Sequence, residues 1–285
     1  MLLSYRGLNV DVKILLDHGA RPDIADNDGV TSLHFAAQLS DHELCETLLS
    51  YHGVEINAKE NLSGETPLHW AFRWSDPPTE LLELLIARGA NVNEQDNDSQ
   101  APLYEAANVG DANGVKVLLS HGADIDDDEE VFGRTALHAA IYAQSEDAVK
   151  VLIEAGADLA LKTKAGMDAL AQAVDIGHLG IFQNIVDVLM EKGIFEEKCL
   201  QQDSLENWTP LHCAVENRDM DMIKILLEKC DPFKMLPIKD RRGDTALHIA
   251  AGKSFCKGTL FLLEAGADPI AKNNFDLTPI DLAIR

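Results

Sequence analysis

Basic residues are scarce in this chain: 24 Lys and Arg stand against 48 Asp and Glu, a formal charge of −24. A field of that sign repels nucleic acid and anionic membrane and favours a basic or neutral partner; the other reading is that the acidic surface serves solubility alone. Long apolar runs are missing, and none approaches the roughly 18–20 residues of a membrane span. The opening Met1-Leu2-Leu3-Ser4-Tyr5 starts no extended apolar leader. Cysteine is sparse: five residues at 45, 199, 213, 230 and 256, an odd number with no Cys-x-x-Cys pair. That favours free thiols in a reducing compartment, cytoplasmic or nuclear. Gly-x-x-x-x-Gly-Lys, Gly-x-Ser-x-Gly and His-Glu-x-x-His are all absent. The sequence is therefore read as a non-enzyme with no catalytic residue, no metal and no cofactor.

What is present is a sentence that repeats. Gly133-Arg134-Thr135-Ala136-Leu137-His138-Ala139-Ala140 is followed by an apolar run that closes in Gly156-Ala157-Asp158. The Leu of this phrase recurs at Leu33, Leu68, Leu103, Leu137, Leu170, Leu211 and Leu247, with Ile280 in the eighth copy; the spacings are 35, 35, 34, 33, 41, 36 and 33 residues. The residue chemistry describes a helix, a turn, a second helix and a protruding turn. Thr or Asp caps the first helix, and Pro67 and Pro210 suit its first turn. Leu-Leu pairs such as Leu48-Leu49 and Leu118-Leu119 give the second helix an apolar face. The closing Gly fits a left-handed cap. No such unit buries its apolar face alone, so neighbours must stack.

A period near 33 carrying Thr66-Pro67-Leu68-His69 and Thr209-Pro210-Leu211-His212 resembles the ankyrin repeat. The resemblance spans essentially the whole chain and implies an all-α ankyrin-repeat solenoid with hairpin-like protruding turns. The reading is one elongated domain over 1–285. It has a partial repeat at 1–25, repeats at about 26–57, 60–93, 96–126, 128–160, 162–194, 203–238 and 239–270, and a partial repeat at 272–285. Neither end carries a polar capping repeat, so the chain is expected to be a segment of a longer protein. Repeat three has Ala101 and Tyr104 where the others have Thr and His, and repeat five has Asp168 and Ala171. Repeat five also carries two four-residue insertions, expected in loops, which makes 175–207 the expected weak joint.

Five histidines, His34, His69, His138, His212 and His248, share one slot. Stacked helices about 10 Å apart space them too widely for shared metal ligation, and the resemblance implies hydrogen bonds that tie turns together. The acidic run Asp124–Glu130 lacks the central Gly and distal Glu of a calcium loop and is read as a solvated, partner-facing turn.

The resemblance implies a binding module that takes another protein or peptide on the concave side, at turn tips and first-helix ends. Carried over by register, the partner-binding candidates are Arg73, Trp74, Asn108, Phe132, Arg134, Tyr142 and Trp208, with Asp127 and Asp128 on the turns. Aromatic residues and Arg dominate binding hot spots. Aromatic candidates beside acidic turns suit a segment with apolar anchors and basic flanks. A competing reading folds Trp74 back over a core enlarged by Phe72. The alternative function is a regulatory or targeting segment of a larger enzyme, effector or channel. The family also implies asparagine hydroxylation candidates at Asn57 and Asn93, each after an aliphatic residue with Leu eight positions upstream; against this, Asn suits a turn for its own hydrogen bonds.

Overall fold

The computed structural model describes residues 2–74 and 76–284, with backbone alone over 2–9; Met1, Ser75 and Arg285 lie outside the described residues. Every regular element among them is a helix, and the chain is an all-α solenoid of helix-turn-helix units. It divides into two compact units, Met1–Val131 with Asp147–Ala157, and Phe132–Glu146 with Asp158–Arg285.

The first unit holds α1 (Leu2–Asp17), α2 (Ser32–Gln38), α3 (His42–Leu49), α4 (Pro67–Trp70), α5 (Thr79–Ala87), α6 (Pro102–Val109) and α7 (Ala112–Ser120). Helices α2, α4 and α6 pack as an inner row, and α1, α3, α5 and α7 as an outer row. The second unit holds α8 (Ala136–Tyr142). Helix α9 (Glu146–Glu154), the second helix of repeat four in sequence, belongs to the first unit from Asp147 onward. Continuing the second unit are α10 (Ala169–Ile176), α11 (Leu179–Glu191), α12 (Phe195–Cys199), α13 (Pro210–Glu216), α14 (Met220–Lys229), α15 (Pro232–Met235), α16 (Ala246–Gly252), α17 (Cys256–Glu264) and α18 (Pro279–Ile284). Its inner row runs α8, α10, α13, α16, α18, and its outer row α11, α14, α17.

Most Leu-Leu pairs divide their labour, although Leu226 and Leu227 are both buried. Leu48, Leu118 and Leu262 are buried, while Leu15 and Leu263 stay exposed beside their buried neighbours. A helix presents only one face to the row beside it, so adjacent residues diverge.

Five inner helices, α2, α4, α8, α13 and α16, begin on a Thr-His capping box. At α4 the Thr66 N–H donates to His69 Nδ1 at 3.2 Å, and the Thr66 hydroxyl lies 2.8 Å from the same nitrogen. Accepting at Nδ1 leaves the proton on Nε2, which donates to the Gln100 carbonyl of the next turn at 3.0 Å. His34 and His248 reach Glu65 and Leu277 in the same way, at 3.2 and 3.1 Å. Burial pushes His34, His69, His138 and His212 below the usual imidazole range. His34, His69 and His248 thus each tie one repeat to the next through Nε2. In the last repeat Asp281 replaces the histidine and accepts from the Thr278 N–H and hydroxyl at 2.8 and 2.7 Å.

Repeat five departs from expectation. The first insertion lies inside α11, which runs 13 residues where α3, α7 and α14 run 8, 9 and 10. Ile181, Phe182, Ile185, Val186 and Leu189 are all buried on one face, so helical periodicity absorbs the extra turn. The second insertion forms α12, which buries Phe195 and Cys199. The five thiols are free, and four of them are buried.

Candidate functional site

Most turns between repeats are held by an acid at the base, and the last by the Asn273 amide oxygen. Asp26, Glu60, Asp96, Asp203 and Asp240 each accept from backbone N–H groups two to five residues on. Burial opposes the Glu60 anion, yet the Ser63 hydroxyl and three N–H groups outweigh it and hold the carboxyl down at about 2. Successive turns are also joined by backbone bonds, Asn61 N–H to Asp28 O at 2.7 Å and Asn97 N–H to Ser63 O at 2.8 Å. Gly64, at φ +74°, makes room for this stacking, since a Cβ there would stand 2.5 Å from Asn97 Oδ1. Sequence reading gave these five acids no role in the fold; the structure shows that they build the turns.

In the first unit, the Arg73 guanidinium lies 4.1 Å from the Trp70 ring centroid, and its Nε is 2.8 Å from Glu65 Oε2. Trp70 is buried and meets Phe35 edge-on at 5.7 Å. Trp74 is 76% exposed. Phe72 fills the core and Trp70 covers it, so Trp74 does not fold back. Asn108 is exposed at the end of α6. Asp128 is exposed, whereas Asp127 is half-buried and accepts from Gln95 Nε2 at 2.7 Å. Glu129 is buried and accepts from the Val131 N–H, a turn-building role like that of Glu60.

In the second unit, Phe132, Arg134 and Tyr142 come together as the register implied. The Arg134 guanidinium sits between the two rings, 4.8 and 4.9 Å from their centroids. Both rings are more than half exposed. Beside them a cavity of about 170 Å³ is lined by Lys164, Met167, Gln172 and Ile176 among others. Trp208 stands apart from this group and is only half-buried, its indole N–H 3.4 Å from Asp240 Oδ2. It lines a separate cavity of about 440 Å³ with Arg242, Ile249 and Gly252.

Asn57 and Asn93 both use the two ends of their amides. Asn57 Nδ2 donates to Gly89 O at 3.0 Å and its Oδ1 accepts from Asn91 N–H at 2.9 Å. Asn93 repeats this with Gly122 O and Asp124 N–H at 3.0 and 2.9 Å.

Sequence reading passed over Glu105. Burial, with Glu65 and Asp96 nearby, raises its carboxyl to about 7, and Arg73 only partly offsets this. The signal was available in the sequence: this slot holds Phe35, Trp70, Ala139, Gln172, Cys213 and Ile249 in the other repeats, all uncharged. Among the described residues no cluster of three His, Cys, Asp or Glu side chains is arranged to hold a metal, and no helix is long and apolar enough to cross a membrane.

A family model described as ankyrin repeats (three copies) matches residues 1–96, 68–163, 103–198 and 170–273. The transient receptor potential cation channel subfamily A member 1 of Homo sapiens is 30% identical over 196 residues, 69% of this chain and 17% of that protein. The nuclear factor NF-kappa-B p105 subunit of Gallus gallus is 29% identical over 259 residues, 88% of this chain and 22% of that protein. The B-cell lymphoma 3 protein homolog of Mus musculus is 28% identical over 280 residues, 94% of this chain and 52% of that protein. The chain thus spans about half or less of the length of these relatives.

Proposed function

We propose that this chain, which belongs to the ankyrin-repeat family, binds another protein or peptide through its turns and inner-row helix ends and carries out no bond chemistry. Ankyrin repeats generally mediate protein–protein interaction. The observation that carries the reading is exposed aromatic surface near an arginine in each unit: Trp74, next to Arg73 in the chain, in one, and Phe132 and Tyr142 against Arg134 in the other. Such groups lose little entropy on contact and supply most of the energy at protein interfaces.

The partner chemistry that fits is a segment with apolar anchors and basic flanks. The charge of −24 favours it and disfavours nucleic acid. Free thiols support a reducing setting, cytoplasmic or nuclear. A second reading, a targeting or regulatory segment of a larger protein, is favoured by the small share of the channel and the NF-kappa-B subunit that this chain matches.

Affinity capture followed by cross-linking mass spectrometry tests the docking side. Cross-links from a partner are expected at Lys59 and Lys164 on the turns. Cross-links confined to Lys116, Lys150 and Lys224 on the outer helices would overturn the proposal.

A further inference from the structure

The inner face of repeat three holds an acidic group that the fold leaves unmet. Glu105 is half-buried and makes no side-chain hydrogen bond or ion pair among the described residues. Arg73, the one cation beside it, is already engaged, with its Nε on Glu65 at 2.8 Å and its plane over Trp70. Under that plane the Trp70 indole is 5% exposed, and its N–H has no acceptor among the described residues. An unmet acceptor and an unmet donor therefore sit around one arginine, next to the exposed Trp74. Desolvating a carboxylate without a partner is expensive, and no other repeat places a charge in this slot.

We propose that Glu105, with Glu65 and Asp96, forms a recognition site for a basic side chain, Arg or Lys, of a bound peptide whose apolar neighbour packs on Trp74. The inference rests on the groove reading above and deepens it by naming the residue that selects for charge. The charge count supports it: three carboxylates face one arginine, and an incoming cation balances them. The groups facing Glu105 are Glu65 and Arg73 from the preceding repeat and Asp96 from its own turn. His69 behind them is kept neutral by burial. Asp111, at the start of α7, instead caps its own helix by accepting from the Asn113 N–H. Because Glu105 titrates near 7, the cation binds its ionised form, and affinity rises with pH.

The test titrates the folded protein with the synthetic peptide acetyl-Leu-Arg-Leu-Arg-Leu-amide and its Glu-for-Arg counterpart. The Arg peptide is expected to bind saturably and roughly tenfold more tightly at pH 8 than at pH 6, following the ionised fraction of a group titrating near 7. The Glu peptide is expected not to bind. In Glu105→Gln the affinity at pH 8 falls at least fivefold and the pH dependence disappears, whereas Glu105→Asp keeps it. Circular dichroism checks that each variant is folded. Trp74→Ala weakens binding at both pH values and preserves their ratio. If Trp74→Ala weakens the Arg peptide while Glu105→Gln binds it like the parent, the groove reading stands and the cation site is wrong. If the parent protein fails to bind the Arg peptide, or binds both peptides equally, the cation site is also wrong.

Discussion

The Lys198 ammonium lies 3.4 Å from the Asp168 carboxylate, with 7% and 4% of the two side chains exposed. Asp168 stands where other repeats have Thr, and it caps α10 by accepting from the Ala171 N–H at 3.1 Å. Lys198 comes from the inserted α12. Two departures from the repeat pattern thus compensate each other, since a carboxylate buried under a neighbouring helix needs a cation that a Thr does not. Removing one member of a buried pair leaves the other uncompensated, which costs about 3 kcal/mol or more. Lys198→Met should lower stability by about that amount in urea denaturation, and Asp168→Thr with Lys198→Met should recover most of it. A loss no larger than that of Lys234→Met, whose pair with Glu196 is exposed, would show that the buried pair contributes nothing.

Repeat five should accordingly divide in hydrogen exchange. Opening free energy follows local burial and hydrogen bonding. The amides of Ile181–Leu189 are expected to exchange as slowly as those of α5, because both helices bury their inner faces completely. Those of 200–208, which contain exposed Leu205 and no helix, should exchange fast. Uniformly fast exchange across 175–207 would instead support the loose joint expected from the sequence.

The repeat, its register and the role of the histidines were legible in the sequence because each is written several times over. Thr66 and His69 occupy slots that four other repeats fill identically, so spacing alone identifies the cap. Phe132, Arg134 and Tyr142, placed by the same register, lie against one another in the structure. What the register could not show depends on contacts made by one repeat only. The Trp208 ring turns toward Asp240, Asp127 is held by Gln95, and Lys198 finds Asp168 across an insertion. Glu105 was visible as the one charge in an uncharged slot, but its meaning required knowing that Arg73 was engaged elsewhere.

Acid and base should act on the fold with opposite signs. The four histidines held below their usual range contribute stability that is present above about pH 6.5 and is lost as pH falls through their folded values. Stability lost in His69→Ala should therefore be larger at pH 7.5 than at pH 5. Glu105, held up at about 7, behaves in reverse: its favourable contribution is present below its unfolded value and is lost as pH rises through 7. Glu105→Gln should raise stability at pH 8, by on the order of 2–3 kcal/mol, and leave it unchanged near pH 4.5. Urea midpoints across pH 4.5–8 report both effects, and a Glu105→Gln gain that does not vary with pH would refute the assignment.

Asn57 and Asn93 bridge consecutive turns through both ends of their amides. Replacing either with Ala orphans a carbonyl and an N–H, and each lost bond is worth about 1 kcal/mol. Asn57→Ala and Asn93→Ala are expected to cost about 1–2 kcal/mol each by thermal denaturation. The hydroxylation proposed for these residues is tested separately by intact-mass and fragment spectra of protein from eukaryotic cells. No +16 mass at either site removes it and leaves the hydrogen-bonding role alone.

The binding surface makes the sharpest demand on experiment. Trp74 is 76% exposed and supports no described contact of the core, while Tyr142 flanks Arg134 from the end of α8. Truncating either therefore removes surface without opening a cavity. An aromatic hot spot contributes about 2 kcal/mol, roughly thirtyfold in affinity. Trp74→Ala and Tyr142→Ala should each weaken partner binding about tenfold or more with helical circular dichroism nearly unchanged. Rim charges act mainly through association rate and salt sensitivity, so Asp127→Asn with Asp128→Asn should flatten the salt dependence. Asp127 also holds Gln95, and Asn at that position keeps an oxygen acceptor, so the turn should survive the change. Normal binding by both aromatic variants, together with loss of binding in Lys150→Glu on α9, would place the interface on the outer helices.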